Sequence, residues 1–143
     1  QTRDAEPSAM EVAGLRVQIQ LLDQIGYPRW PTEVVPVMQR YSDAPPAALR
    51  VLTPAAFAAA KLAAWHDRRA ARDLYDLWAL ATHGMIDSEA RTLFTRFGPA
   101  TDPAAVSFYD HPTEAEWQAS LRPQCQPQVT ARDAALVVAN AWQ

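Results

Sequence analysis

Lysine is all but missing from this 143-residue chain: twelve of its thirteen basic residues are arginine, and the exception is Lys61. Cysteine is equally scarce. A lone Cys125 excludes an internal disulfide framework and any multi-cysteine zinc site. The three histidines, His66, His83 and His111, lie far apart without metal-ligand spacing and read as surface or capping residues. No apolar run approaches the roughly 18 residues of a membrane span, and no secretory signal opens the chain, so a soluble cytoplasmic protein with no membrane partner is expected. Excess positive charge is also lacking. A net charge of -3 argues against coating nucleic acid through bulk charge, although Arg68, Arg69 and Arg72 make a local patch. The chain opens on Gln1 rather than methionine, and its residues to Glu11 are polar with little periodicity. A chain that has lost its beginning is the expectation.

What is present is enough for one core. Residues of hydrophobic type make up 49% of the sequence, and the length suits a single domain. Residues 15–21, LRVQIQL, alternate apolar and polar, placing Leu15, Val17, Ile19 and Leu21 on one face as in a half-buried strand. Gly26, Pro28 and Pro31 break the chain. An extended pattern resumes over 32–41, where Pro36 demotes it to an edge strand, and 47–52 is a short apolar run able to close the sheet as a third strand. Thr53-Pro54 then starts a helix, with the hydroxyl as N-cap and proline in the first helical position. Gly84 ends the following helix, Asp87 or Ser88 begins another, and Asp102-Pro103 opens a short one. Thr113 with Glu116 forms a capping box ahead of Trp117 and Leu121. Thr130 begins the last helix, with Ala134, Val137, Val138 and Ala141 as its expected buried face. The fold class is therefore α+β: two or three short N-terminal strands, then five or six helices.

One stretch concentrates the chemistry. Residues 61–80 read KLAAWHDRRAARDLYDLWAL and hold the only lysine, an arginine cluster and two aspartates three residues apart. Phe57, Ala60, Lys61, Ala64 and Trp65 share one helical face, so the lone ammonium sits in an apolar stripe and needs an anion or a route to water. Two readings stand. Its stem can cover apolar surface while the head reaches solvent, or it can face a cleft as a point charge for phosphate. On the next helix Leu74, Leu77, Trp78 and Ala81 form the expected buried stripe, with Arg69, Arg72, Asp73 and Asp76 opposite. Taken alone that face reads as solvated, with Arg69–Asp73 and Arg72–Asp76 as i, i+4 pairs. Because the two helices are consecutive and the turn over 66–69 is short, the Lys61 ammonium is expected within reach of Asp73 or Asp76.

These residues carry a resemblance. The run LRVLTPAAFAAAKLAAWHDRRAARDLYDLWAL, preceded by LRVQIQ and a Pro-rich segment, resembles the nucleotidyltransferase-like toxins of the AbiEii/AbiGii family of bacterial toxin–antitoxin systems. It looks like that family's lysine helix followed by its basic-x-x-Arg/Lys-Asp-x-x-Asp-Leu signature, and it covers about residues 15–80. The resemblance implies that Lys61 meets nucleotide phosphates, that Asp73 is the catalytic aspartate, and that Asp76, Arg69 and Arg72 support the site. It also implies an NTP substrate and Mg ions for the complete protein, an RNA or protein acceptor, and a cognate antitoxin. The family's Gly-Ser and Asp-x-Asp motifs, which the resemblance implies would bind the triphosphate and the metal ions, occur nowhere in this sequence, and Gln20 stands where related chains often carry an acid.

Carboxylates that hold divalent metals align the attacking oxygen and neutralise the leaving pyrophosphate, so a lysine and an aspartate cannot replace them. The expectation is therefore a C-terminal part: residues 1–52 as the remnant of a strand-containing lobe and 53–143 as a helical unit, inactive alone, with no metal site or cofactor in this chain and the missing N-terminal lobe as its partner. A degenerate, non-catalytic interaction module of antitoxin-like or scaffold type is the alternative.

Overall fold

In the computed structural model, residues 8–19, 29–40, 42, 43 and 45–143 are described, and every structural statement below concerns these. Strands β1 (Ser8–Val12) and β2 (Leu15–Ile19) form an antiparallel hairpin, with Met10 opposite Val17 and Val12 opposite Leu15. A second antiparallel pair joins β3 (Thr32–Pro36) to β4 (Ala48–Leu52). The helices follow: α1 (Pro54–Arg68), α2 (Ala71–Thr82), α3 (Ser88–Phe97), α4 (Glu114–Leu121) and α5 (Ala131–Ala141), with one 3-10 turn at Pro103–Ala105. The α+β class and the order of strands before helices agree with the sequence reading. The strands differ in number and arrangement. There are four in two separate ribbons, and β4 closes no three-stranded sheet.

The first hairpin departs from its expected burial. Leu15 is 70% exposed, and Met10, Val12 and Val17 are exposed beside it on the same face. Period-two alternation identifies a strand but does not guarantee a layer to cover it, and here β1 and β2 pack chiefly against each other. The expectations for Gln20, Leu21, Gly26, Pro28 and Tyr41, and for the Ile19 side chain, lie outside the described residues. Strand β1 falls in a stretch whose sequence shows little periodicity. Its pairing depends on the two-residue turn at Ala13 and Gly14, whose φ angles of 51° and 79° give the doubly left-handed turn that matches strand twist.

Helix starts are set locally. Thr53 accepts from the Ala56 amide with Pro54 beginning α1, Asp87 caps α3, and Thr130 caps α5. The capping box at Thr113 is complete, with the Glu116 side chain returning to the Thr113 amide at 2.9 Å. Helices α1 and α2 form the centre; α3 packs on α1, and α4 and α5 on α2. Alanines 55, 56, 58 and 59 are buried on α1, so the helix backbones approach closely around Leu62 and Trp65. Trp65 lies parallel to Phe108 at 5.7 Å, and the Trp117 indole N–H donates to the Val129 carbonyl at 2.9 Å.

Two helix faces are rotated from their expected positions. On α5 the buried set is Ala131, Ala134, Ala135, Val138 and then Trp142, while Val137 is exposed and Ala141 half-buried. On α2, Leu74 and Leu77 are buried as expected, but Trp78 and Ala81 are half-buried, and Ala71, Asp73 and Leu80 join the interior. The cause is contact on two sides. Helix α2 is sandwiched between α1 and the α4–α5 pair, so its buried arc is wider than one stripe. None of the described helices is long and apolar enough to cross a membrane.

Candidate functional site

Helix α1 ends at Arg68, and the chain reverses through Arg69 and Ala70 before α2 begins. Arg69 takes the left-handed conformation, φ 53°, at the C-cap, and its amide donates to the Trp65 carbonyl. A side chain with a Cβ is disfavoured there. Contacts offset this: the Arg69 guanidinium stacks 5.3 Å from the Trp65 ring and donates to the Ser107 carbonyl, which also accepts from the Trp65 indole at 3.1 Å. The tight reversal lays α2 antiparallel to α1 and sets residue 73 against the end of α1.

At that junction lies Asp73, the one fully buried charged side chain among the described residues. Its Oδ2 accepts from Arg68 Nε at 2.7 Å and its Oδ1 from Arg68 Nη2 at 2.8 Å, a two-pronged pair. Lys61 Nζ stands 3.5 Å from Asp73 Oδ1 and 2.5 Å from Asp76 Oδ2. The lysine and both aspartates are thus brought together, as the spacing predicted. Lys61 does not lie in the buried stripe of α1. It flanks that stripe, 22% exposed, with Nζ 5.5 Å from the Phe57 ring.

The four charges form one network with a graded exposure. Asp73 is buried, Lys61 is partly covered, and Arg68 and Asp76 reach solvent at 49% and 42%. A buried carboxylate is tolerable only when its lone pairs are taken up, and Arg68 and Lys61 do so together. Donating these hydrogen bonds to Asp73 raises the Arg68 pKa above its ordinary value, against the opposing pull of desolvation. The guanidinium is permanently charged.

The supporting arginines go elsewhere. Arg69 is diverted to Ser107 rather than to Asp73, and Arg72 is exposed and outside the ion pairs of the described residues, because Asp76 is occupied by Lys61. Arg68 was not among the residues singled out as site members. Two signals point to it. Asp73, Leu77 and Leu80 share a helical stripe, which marks Asp73 as interior and in need of a cation, and a reversal at 69–70 brings the last residue of α1 to it.

Divalent metal does not fit here. Magnesium requires oxygen ligands with several retained waters, whereas Asp73 has no exposed surface and both its oxygens face cations. Among the described residues no group of three or more His, Cys, Asp or Glu side chains is placed to hold a metal ion. Phosphate does fit the donors. The Lys61 ammonium, paired with both aspartates, is still partly exposed, and the guanidinium retains donors beyond the two on Asp73 among the described residues.

Comparison with curated proteins gives no match. Comparison with solved structures likewise gives none. A family model, described as nucleotidyl transferase AbiEii toxin, type IV toxin–antitoxin system, matches residues 6–137, which takes in both hairpins, the Lys61–Asp73 junction and most of α5. With nearly its whole length matched, this chain belongs to the AbiEii nucleotidyl transferase toxin family.

Proposed function

We propose that this chain is the C-terminal part of a toxin that transfers a nucleotide from an NTP to an RNA or protein acceptor, and that Lys61 is its phosphate-binding group. Family membership supports the toxin–antitoxin setting and an antitoxin partner. The observation that carries the reading is the only lysine of the chain, held at a helix junction by Asp73 and Asp76 and still partly exposed. An ammonium so placed attracts phosphate oxygens as a compact point charge. Asp73 contributes fixed negative charge that keeps it there. The metal-binding carboxylates belong to a lobe preceding this chain, and residues 1–52 are the rear of that lobe, so the 143-residue chain alone does not transfer nucleotide.

The test is incorporation of label from each of the four nucleoside triphosphates, in magnesium buffer, by this chain and by the product of the full reading frame. Silence from the short chain and transfer by the longer one are expected. In the longer protein Lys61→Ala and Asp73→Asn should each reduce transfer at least tenfold, about 1.4 kcal/mol of barrier, while Arg122→Ala, at the exposed end of α4, leaves it unchanged. Turnover by the short chain contradicts the proposal. A second reading, a non-catalytic partner-binding module, draws on the exposed Met10, Val12, Leu15 and Val17 face. A full-length protein that binds its antitoxin tightly yet transfers nothing to any acceptor favours it.

A further inference from the structure

Asp73 Oδ1 is shared. Arg68 Nη2 approaches it at 2.8 Å and Lys61 Nζ at 3.5 Å, so two cations from one helix converge on a single oxygen of the next. They are seven positions apart on α1, two turns, and therefore lie along the same face. Neither is consumed by the pairing. Arg68 gives Asp73 one N–H from Nε and one from Nη2, has no further hydrogen-bond partner among the described residues for its other three N–H groups, and keeps about half its surface in water. Lys61, ion-paired with both aspartates, keeps 22% of its side chain exposed.

Asp73 is differently placed. It is fully buried and doubly engaged, so the exposed part of the network is the two cations with the Asp76 carboxylate on the Lys61 side, where an arriving anion competes for the ammonium. Two like charges this close repel unless an anion lies between them, and the buried carboxylate holds the pair in position before any ligand arrives. Its own negative charge is shielded from the ligand by the cations it holds.

We propose that Arg68 is a second anion-binding residue of this site, acting with Lys61 to grip adjacent oxygens of a phosphate chain, and that Asp73 is the positioning residue for both cations. This assignment rests on the phosphate-binding reading of Lys61 given above. It adds a guanidinium fork to a point charge, and the fork recognises two oxygens at once, which an ammonium cannot do.

The experiment uses the 143-residue chain, nitrogen-15 labelled, titrated with inorganic tripolyphosphate at low salt. The side-chain Nε–H resonance of Arg68 and the Lys61 ammonium should move together along one binding curve, and the apparent Kd should rise with added salt. Arg68→Lys, which keeps the charge and removes the fork, should weaken binding about tenfold, the scale of one lost charge-assisted hydrogen bond. Asp73→Asn should weaken it by a similar factor, and the double variant Arg68→Lys with Asp73→Asn no further than the weaker single, because Asp73 acts through the cations. Arg122→Ala should bind as the wild type does. A shift of Lys61 with an unmoved Arg68 overturns the inference, and so does an unchanged affinity of folded Arg68→Lys or no tripolyphosphate binding at all. The resonance readout needs no variant, so a substitution that prevents folding leaves the test intact. Label transfer by the longer protein judges the Lys61 reading separately: transfer that survives while Arg68 proves silent removes this inference alone.

Discussion

The two hairpins and the helical region use apolar residues in opposite ways. In the helices, Trp65, Leu74, Leu77, Phe94, Trp117 and Trp142 are buried in one continuous core. In the hairpins, Met10, Val12, Leu15, Val17, Val34, Leu49 and Val51 are exposed, although their spacing is as regular. A helix pair can cover itself by folding back at a short turn, as α1 and α2 do, whereas a two-stranded ribbon has no second layer and is marginal in water by itself. The second hairpin is tied down at one end, where Trp30 meets the Phe97 ring at 5.7 Å and the Thr53 amide donates to the Pro31 carbonyl. The first has no comparable tie among the described residues. The charged site lies wholly on the helical side of this divide, so its geometry is set by α1 and α2.

That contrast is broken most easily by truncating one leucine on each side. Leu77→Ala should cost about 2–5 kcal/mol through lost burial and a residual cavity, whereas Leu15→Ala should stay within about 0.5 kcal/mol, as surface changes do. Urea denaturation of both variants measures the difference, and equal losses would show that the hairpin is part of the core. A smaller effect is expected at Gly98, where a Cβ would lie 2.5 Å from the Phe94 carbonyl oxygen and 2.9 Å from its ring. Overpacking of this kind predicts a loss of about 1–3 kcal/mol for Gly98→Ala, visible as a lowered melting temperature.

Next in size is the cap of α1. Thr53→Ala removes the hydroxyl that accepts from the Ala56 amide at 3.2 Å and should cost about 1 kcal/mol; Thr53→Ser should restore most of it. The smallest effect belongs to Glu116. Hydrogen bonds from the Thr113 side chain and amide hold its pKa below the usual glutamate value. A pKa lowered by folding means stability that is present above the unfolded glutamate pKa and lost as pH falls through the folded one. Carbon-13 titration should therefore find Glu116 titrating below a free glutamate, and Glu116→Gln should flatten the acid limb of stability slightly.

How much of this was legible in the sequence follows the same divide. Helix starts at Thr53, Asp87, Thr113 and Thr130 were readable because a cap is decided within four residues. The meeting of Lys61 with Asp73 and Asp76 was readable from a short turn between two helices. Which arginine would serve Asp73 was not, since Arg69 satisfies the i, i+4 rule on paper and only the left-handed turn sends it to Ser107 instead. Burial of Asp73 is not legible in the sequence because a single-stripe pattern assumes one packing partner, and α2 has partners on both sides. Exposure of the Leu15 and Val17 face was equally hidden, since alternation reports a strand's two faces but not what lies against them.

Amide hydrogen exchange tests the central claim, that the shared core of the helices holds the Lys61, Arg68, Asp73 and Asp76 network in place while the first hairpin, among the described residues, adds no comparable packing. Amides of α1 and α2 around Lys61, Arg68 and Asp73 should exchange only through global unfolding, with the slowest rates in the molecule, and those of β1 and β2 should exchange orders of magnitude faster. Protection of β1 and β2 equal to that of α1 and α2 would contradict it.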